Sequence, residues 1–439
     1  MFYLIAVWLG LVVALLVFAV GTRREGGALT VAYFFGLSLI HVPGAVLYID
    51  AASESVDRDV TRLGFEMTII GMGAFVMGAM MARILDRRRF VRDRFVPDPG
   101  RTFAHMGWRI LAIGVGSYFV LLPISSLVPS VTSIVAALAT TLILGLWLVL
   151  YGAVLDGNWR RLLLAIGLLP VLPLATLING GFIGYGVYWI LSIVAFLFVI
   201  VKDRTWFYLA AVPVAFLGLS LFVSYMGQRN GIRDVVWYEQ ASLVDRLDRI
   251  SRIVTQFEVL NLDDPDQIEA INDRLNQNLL VGIATERHEA GVSDLAYGAT
   301  VPWWVLIPRV IWPNKPVVGG SGNVVSDFTG IHFEAGTSVG IGQVLEFYIN
   351  FGSLGVVFGF LAYGFVLTWL DAGIARALAA GDGRGLLVRA MPGLTLLQPG
   401  GSLLEITVAC VAAMVAARAV LYLGVFRLPV MVRKDRLPA

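Results

Sequence analysis

Cysteine is almost missing from this chain: Cys410 is the single one, and it sits inside an apolar run. No intramolecular disulfide can form, and a thiol among apolar side chains makes a poor nucleophile. Histidine is scarce too, with four copies and no Cys/His cluster, which argues against a zinc site and leaves no metal expected. No Ser or Cys nucleophile lies near a histidine in a setting that suits a protease. Charge is the third shortage. Asp, Glu, Lys and Arg make up 15% of the residues, where soluble domains carry about 25%.

Hydrocarbon fills the gap. The 439 residues are 58% hydrophobic, with a mean hydropathy of +0.79, and no globular core could hide that excess. Apolar runs fall near 2–20, 29–49, 63–84, 108–128, 131–155, 162–180, 182–201, 205–225, 339–370, 386–399 and 403–426. Most approach the ~20 residues needed to cross a bilayer. The fold class expected is therefore an all-α polytopic membrane protein with about 11 transmembrane helices. The first run lacks a basic flank before it and a small-residue cleavage site after it, so it reads as a retained span.

Basic residues orient the spans. Arg23/Arg24, the cluster from Arg83 to Arg101, Arg160/Arg161, Lys202/Arg204, Arg376/Arg384 and Arg433/Lys434/Arg436 all fall on one side if every run is a span. The positive-inside rule makes that side the cytoplasm, with the C-terminus there too. The arginines at 83–101 carry no interleaved aromatics, so a topology signal on anionic headgroups fits better than a nucleic-acid surface.

Three parts follow: a bundle over 1–225, an extracytoplasmic segment over 226–338, and C-terminal helices over 339–439. The middle segment has fifteen Asp/Glu against nine Arg/Lys and is too long for a structureless loop. One amphipathic helix is predicted over about 234–260. A second follows the cap Asp264-Pro265, with Ile268, Ile271, Leu275, Leu279 and Ile283 on one side. Both apolar faces are expected to rest on the membrane surface or the rim of the bundle. Further on, VPWWVLIPRVIWPNKP at 301–316 is too short and too proline-rich to span, and reads as interfacial or re-entrant.

Cations outside the membrane are under no positive-inside pressure. Arg229 and Arg233 follow a span directly, Arg287 lies further along, and Arg309 and Lys315 are held between prolines. Guanidinium forks grip phosphate bidentately and an ammonium supplies a point charge; headgroup anchoring is the other use for such side chains. Arg246, Arg249 and Arg252 read instead as helix-face partners of nearby acids. Trp312 suits headgroup level. Among acids, Glu346 is the sharpest, because a carboxylate just inside a span is costly without a partner. It could serve as a general base or bridge two helices. Asp327 and His332, with Glu334, form a second acid/base candidate, and Glu239 a third. His41, alone in an apolar run, reads as structural.

Many spans, one large outer loop, IPRVIWPNKP before a glycine-rich stretch, and then GQVLEFYINFGSLGVVFG together resemble the Wzy-type polymerases of O-antigen and exopolysaccharide repeat units. The likeness is strongest over about 220–370. It implies a metal-independent glycosyltransferase without a cofactor, acting on undecaprenyl-diphosphate-linked oligosaccharide at the outer face of the cytoplasmic membrane. Its partners would be that lipid-linked substrate, membrane lipids and a chain-length regulator, with no nucleic acid. In these terms Glu346, Asp327 and Glu239 are catalytic candidates. Arg229, Arg233, Arg287, Arg309, Lys315, Trp312 and His332 are candidates for holding diphosphate or sugar. Some members carry an arginine followed after ten residues by glycine in two outer loops; here Arg287/Gly298 and Arg309/Gly320 share one loop. Alternatives are a ligase using the same chemistry on another acceptor, and a transporter or flippase of the lipid-linked oligosaccharide.

Overall fold

A computed structural model describes residues 1–21, 26–49, 56–86, 99–125, 129–238, 243–301, 307, 311–312, 314, 321–333 and 339–422. Among them, every regular element is helical: α1 (Phe2–Gly21), α2 (Ala28–Leu47), α3 (Val56–Asp86), α4 (Pro99–Gly116), a π turn at Ser117–Leu121, α5 (Leu122–Ser125), α6 (Pro129–Ala139), α7 (Thr141–Leu155), α8 (Trp159–Gly167), α9 (Val171–Gly180), α10 (Gly184–Ile200) and α11 (Thr205–Arg233). After a second π turn at Asp234–Tyr238 come α12 (Leu243–Thr255), α13 (Pro265–Leu275), α14 (Gln277–Glu289), α15 (Ser321–Thr329), α16 (Gln343–Ala379), α17 (Gly383–Thr395) and α18 (Leu403–Tyr422).

Eight of these described segments are long and apolar enough to cross a membrane, α6 joining α7 and α8 joining α9. The apolar helices Phe2–Phe18 and Gly184–Ile200 are shorter. The run expected at 386–399 is the 13-residue α17, about 20 Å long against a hydrocarbon core of about 30 Å. The described residues thus form a helical chain with eight candidate membrane spans and two shorter apolar helices, where eleven apolar runs are expected.

Close helix contact is made through glycine. A Cβ on Gly78 of α3 would lie 2.0 Å from the Leu361 carbonyl of α16, and one on Gly364 2.1 Å from the Phe75 carbonyl. In lipid, where apolar burial gives little drive between helices, such backbone approach supplies the packing. A stacked pair, Trp147 on Phe196 at 4.5 Å, fastens α7 to α10.

The bundle has two polar ends. At the first, Arg376 pairs with Asp86 and Arg161 with Asp156 at 2.9 Å. Asp371 there caps α2, accepting from the Leu29 and Thr30 amides at 3.0 and 2.9 Å. Arg83, Arg161, Arg204 and Arg376 belong to this end. The second end holds the last turns of α2, α9 and α11, the start of α3, and α12 to α14.

Two departures from the expected segments matter. The predicted helix over 234–260 is instead a π turn followed by the shorter α12. The predicted helix after Asp264 does begin there, with the Asp264 carboxylate accepting from the Asp266 amide at 3.0 Å and proline in the first turn. It breaks, however, at Asn276, whose φ of −124° and ψ of 63° are non-helical. Of the two places expected for its apolar face, α14 takes the bundle. It enters the bundle against α3, where a Cβ on Gly64 would fall 1.9 Å from the Asn278 carbonyl. A polar cluster seals the joint: the His41 ring (Nδ1) meets Asn278 Oδ1 at 2.7 Å, Asn278 donates to the His41 carbonyl at 2.6 Å, and Asn276 donates to Thr61 at 3.1 Å.

Candidate functional site

The last two turns of α11 carry Arg229 and Arg233, one helical turn apart and therefore on one face. The Tyr225 hydroxyl, a turn earlier, donates to the Gly181 carbonyl at 3.2 Å and lies within electrostatic reach of Arg229, Arg233 and Arg274. Arg246 of α12 donates to the Ile178 carbonyl at 3.1 Å. Arg249 presses on the glycine turn of α11, its guanidinium 1.8 Å from where a Cβ on Gly231 would stand. Arg233 lies over the Phe182 ring at 5.4 Å.

Five arginines from three helices therefore converge at the second end of the bundle. Burial, and then the neighbouring Arg229 charge, hold the Arg274 guanidinium below its ordinary pKa, with Asp273 acting the other way. The Nε atoms of Arg249 and Arg274 are buried without a hydrogen-bond partner among the described residues. Beside them opens a cleft of about 340 Å³ lined by Asp234, Asp245, Asp248, Arg249 and Arg252, and Asp248 is taken up by Arg252 at 3.3 Å. The mutually opposing positive charges of Arg229 and Arg274 favour an anion that bridges them.

Glu346 occupies a different place. It belongs to the first arm of α16, residues 343–350, which ends at Phe351 and Gly352 with non-helical dihedrals. The chain then reverses: a Cβ on Gly355 would lie 2.3 Å from the Phe347 carbonyl, and one on Gly359 2.6 Å from the Phe347 ring. The expected span over 339–370 is thus a short buried helix folded back on a long one. Its last carbonyls are capped by the preceding loop, the Ala296 amide donating to Ile349 at 2.7 Å and the Tyr297 amide to Asn350 at 3.1 Å. The Asn350 side chain accepts from the Gly298 amide at 2.8 Å and donates to Thr300 at 2.6 Å.

At its start the short helix meets the loop before α18. The Gly342 amide donates to Gly400 at 3.2 Å and the Gln343 amide to Pro399 at 3.0 Å. The Gln343 side chain accepts from the buried Tyr33 hydroxyl. Non-helical backbone inside a membrane bundle is tolerated where protein satisfies it, as here. Glu346 is 1% exposed, and its Oε2 accepts from the Leu403 amide, the first residue of α18, at 2.5 Å. The carboxylate therefore sits on the positive end of a helix dipole.

Arg287, on the last turn of α14, stacks beside the α15 exit: a Cβ on Gly330 would be 2.9 Å from its guanidinium. Asp327 and His332 flank that turn and are both exposed. Trp312 is exposed as well. Glu239, Arg309, Lys315 and Glu334 lie outside the described residues. The structure thus brings Arg229 and Arg233 together and puts Arg287 near Asp327 and His332, while Glu346 has a partner of its own. Sequence reasoning assigned Arg246 and Arg249 to a solvated face. Their part in the cluster shows only once α11 is seen to run on to Arg233. Among the described residues, no group of three His, Cys, Asp or Glu is placed to hold a metal. No family model, curated protein or solved structure matches this chain.

Proposed function

We propose that the protein is a membrane glycosyltransferase that joins lipid-diphosphate-linked oligosaccharide repeat units into a polysaccharide at the outer face of the cytoplasmic membrane. The observation that carries this reading is the convergence of Arg229, Arg233, Arg246, Arg249 and Arg274 at one end of an apolar bundle. A diphosphate leaving group needs charge stabilisation that grows as the glycosidic bond breaks, and preoriented guanidinium groups supply it. The basic residues at the other end favour the cytoplasm for that side, which puts the arginine cluster outside. The attacking sugar hydroxyl needs a carboxylate; exposed Asp327 has the access for this, while Glu346 has the burial that tunes a base.

Purified protein given lipid-linked repeat units should form a polymer ladder, and Arg229→Ala and Arg274→Ala should each reduce it by about tenfold or more, the worth of one charged hydrogen bond. A full ladder from both folded variants would remove the cluster from the mechanism. If product appears only on a separate lipid acceptor, the ligase form of the same chemistry holds.

A second reading has its own support. The break at Phe351–Gly352 and the buried polar contacts around Gln343 have the form of the discontinuous helices of transporters. Movement of labelled lipid-linked oligosaccharide across vesicles without any ladder would favour a flippase.

A further inference from the structure

Ten consecutive residues of α11, Leu209 to Gly218, are all exposed. Ten residues wind through nearly three turns, about 15 Å of helix, so the exposure covers the whole circumference. Val212, Val214 and Leu217 are 77%, 63% and 52% exposed. A helix on the rim of a bundle shows lipid one face and rests the other on its neighbours. Here the inward face is bare as well.

Both ends of the stretch are nevertheless fastened. Below it, Phe207 and Tyr208 pack on the Phe198 ring at 5.5 and 5.9 Å. Above it, Val223 packs with Ile271 and Leu275, with Leu47 and Leu219 alongside. The Ser220 and Ser224 hydroxyls also accept the Leu260 and Glu258 amides at 3.0 and 2.9 Å. The bare stretch is therefore one post of a window, and its own side chains offer water no partners. A second copy of the chain could cover the outer side of this post, but it could not thread behind a helix held at both ends. A flexible hydrocarbon chain can.

We infer that the window takes the polyprenyl chain of the substrate, whose diphosphate rests on the arginines at the top of the same helix. This rests on the proposed function and adds the lipid subsite to it. Charge and length support the assignment. Arg229 and Arg233 stand on α11 itself, above the window. The window lies roughly 15–30 Å below Arg229 at 1.5 Å per residue. A phospholipid chain of one leaflet reaches only about half of the ~30 Å hydrocarbon core. A chain whose headgroup rests on Arg229 must be longer than that to reach Leu209.

The test uses the full-length protein in zwitterionic vesicles with a polyprenyl diphosphate that carries a photoreactive group at the far end of its chain. Adducts should concentrate within 205–219, fall at least tenfold with excess unlabelled polyprenyl diphosphate, and fall likewise in Ala211→Trp or Ala215→Trp. Val13→Trp, on the exposed face of α1, should change nothing. Equal adducts on α1 and α11, or equal labelling by a photoreactive phospholipid, would each overturn the assignment. If both tryptophan variants misfold, the wild-type adduct map and its competition decide. A ladder formed with adducts elsewhere overturns the window and leaves the glycosyltransferase standing; selective adducts without a ladder do the reverse.

Discussion

Glu346 shows how one carboxylate can be read two ways, and the chemistry of its partner separates them. Its bond from the Leu403 amide joins the short arm of α16 to α18. Glu346→Leu strands that amide in a buried setting, a loss of about 1–3 kcal/mol, and should lower the thermal midpoint of detergent-purified protein by several degrees. Glu346→Gln keeps an acceptor oxygen and should unfold close to wild type. A glutamine variant that folds normally yet forms no polymer marks the proton chemistry as essential. One that folds and polymerises normally leaves Glu346 a structural tie. Arg274 gives a test of opposite sign. Because burial and the Arg229 charge oppose its protonated form, Arg274→Ala should unfold no earlier than wild type without ligand, while losing much of the stabilisation that a diphosphate lipid gives. Equal loss with and without the lipid would count against anion binding there.

At the scale of elements, the legible parts were those written in local chemistry. Asp264-Pro265 announces the start of α13 because cap and proline act within one turn. Long apolar runs announce the spans because burial in lipid needs little else. The break at Asn276 stayed hidden, since DRLNQNLLVGIA keeps helical periodicity and the partners Thr61 of α3 and His41 of α2 are distant in sequence. The same is true of Phe351–Gly352, where NFGSLG reads as the interior of a span. The convergence of arginines from α11, α12 and α13 was equally invisible, because no spacing rule links them. Two substitutions probe these joints. Gly352 sits at φ 61° and ψ −155°, a conformation essentially closed to side chains, and Gly352→Ala should cost about 1–3 kcal/mol, with protection of the Ala296 and Tyr297 amides lost first in hydrogen exchange. Asn278→Leu removes both bonds to His41 and should loosen α14, seen as new protease cleavage within 277–289.

For the whole molecule, the two ends make the orientation testable. Cysteines placed at Val292 and at Trp159, in a Cys410→Ala background, should react with a membrane-impermeant maleimide from opposite sides, Val292 from outside intact cells. Labelling of Trp159→Cys from outside would invert the topology and carry the arginine cluster to the cytoplasm.

The glycine seams of α3 carry a consequence in time. One stripe of α3 closes on α14 through Gly64 and, about four turns further on, on α16 through Gly78. A ribosome adding roughly 5–20 residues per second finishes α3 (ending at Asp86) about 13–50 s before α16 begins at Gln343. Through that interval the N-terminal helices must wait in the membrane with bare glycine grooves, inserted but not assembled. Their competitors then are other helices of the same membrane. Variants that slow synthesis of the C-terminal third should therefore deplete the protein through quality-control proteolysis, even when the finished fold is as stable as before.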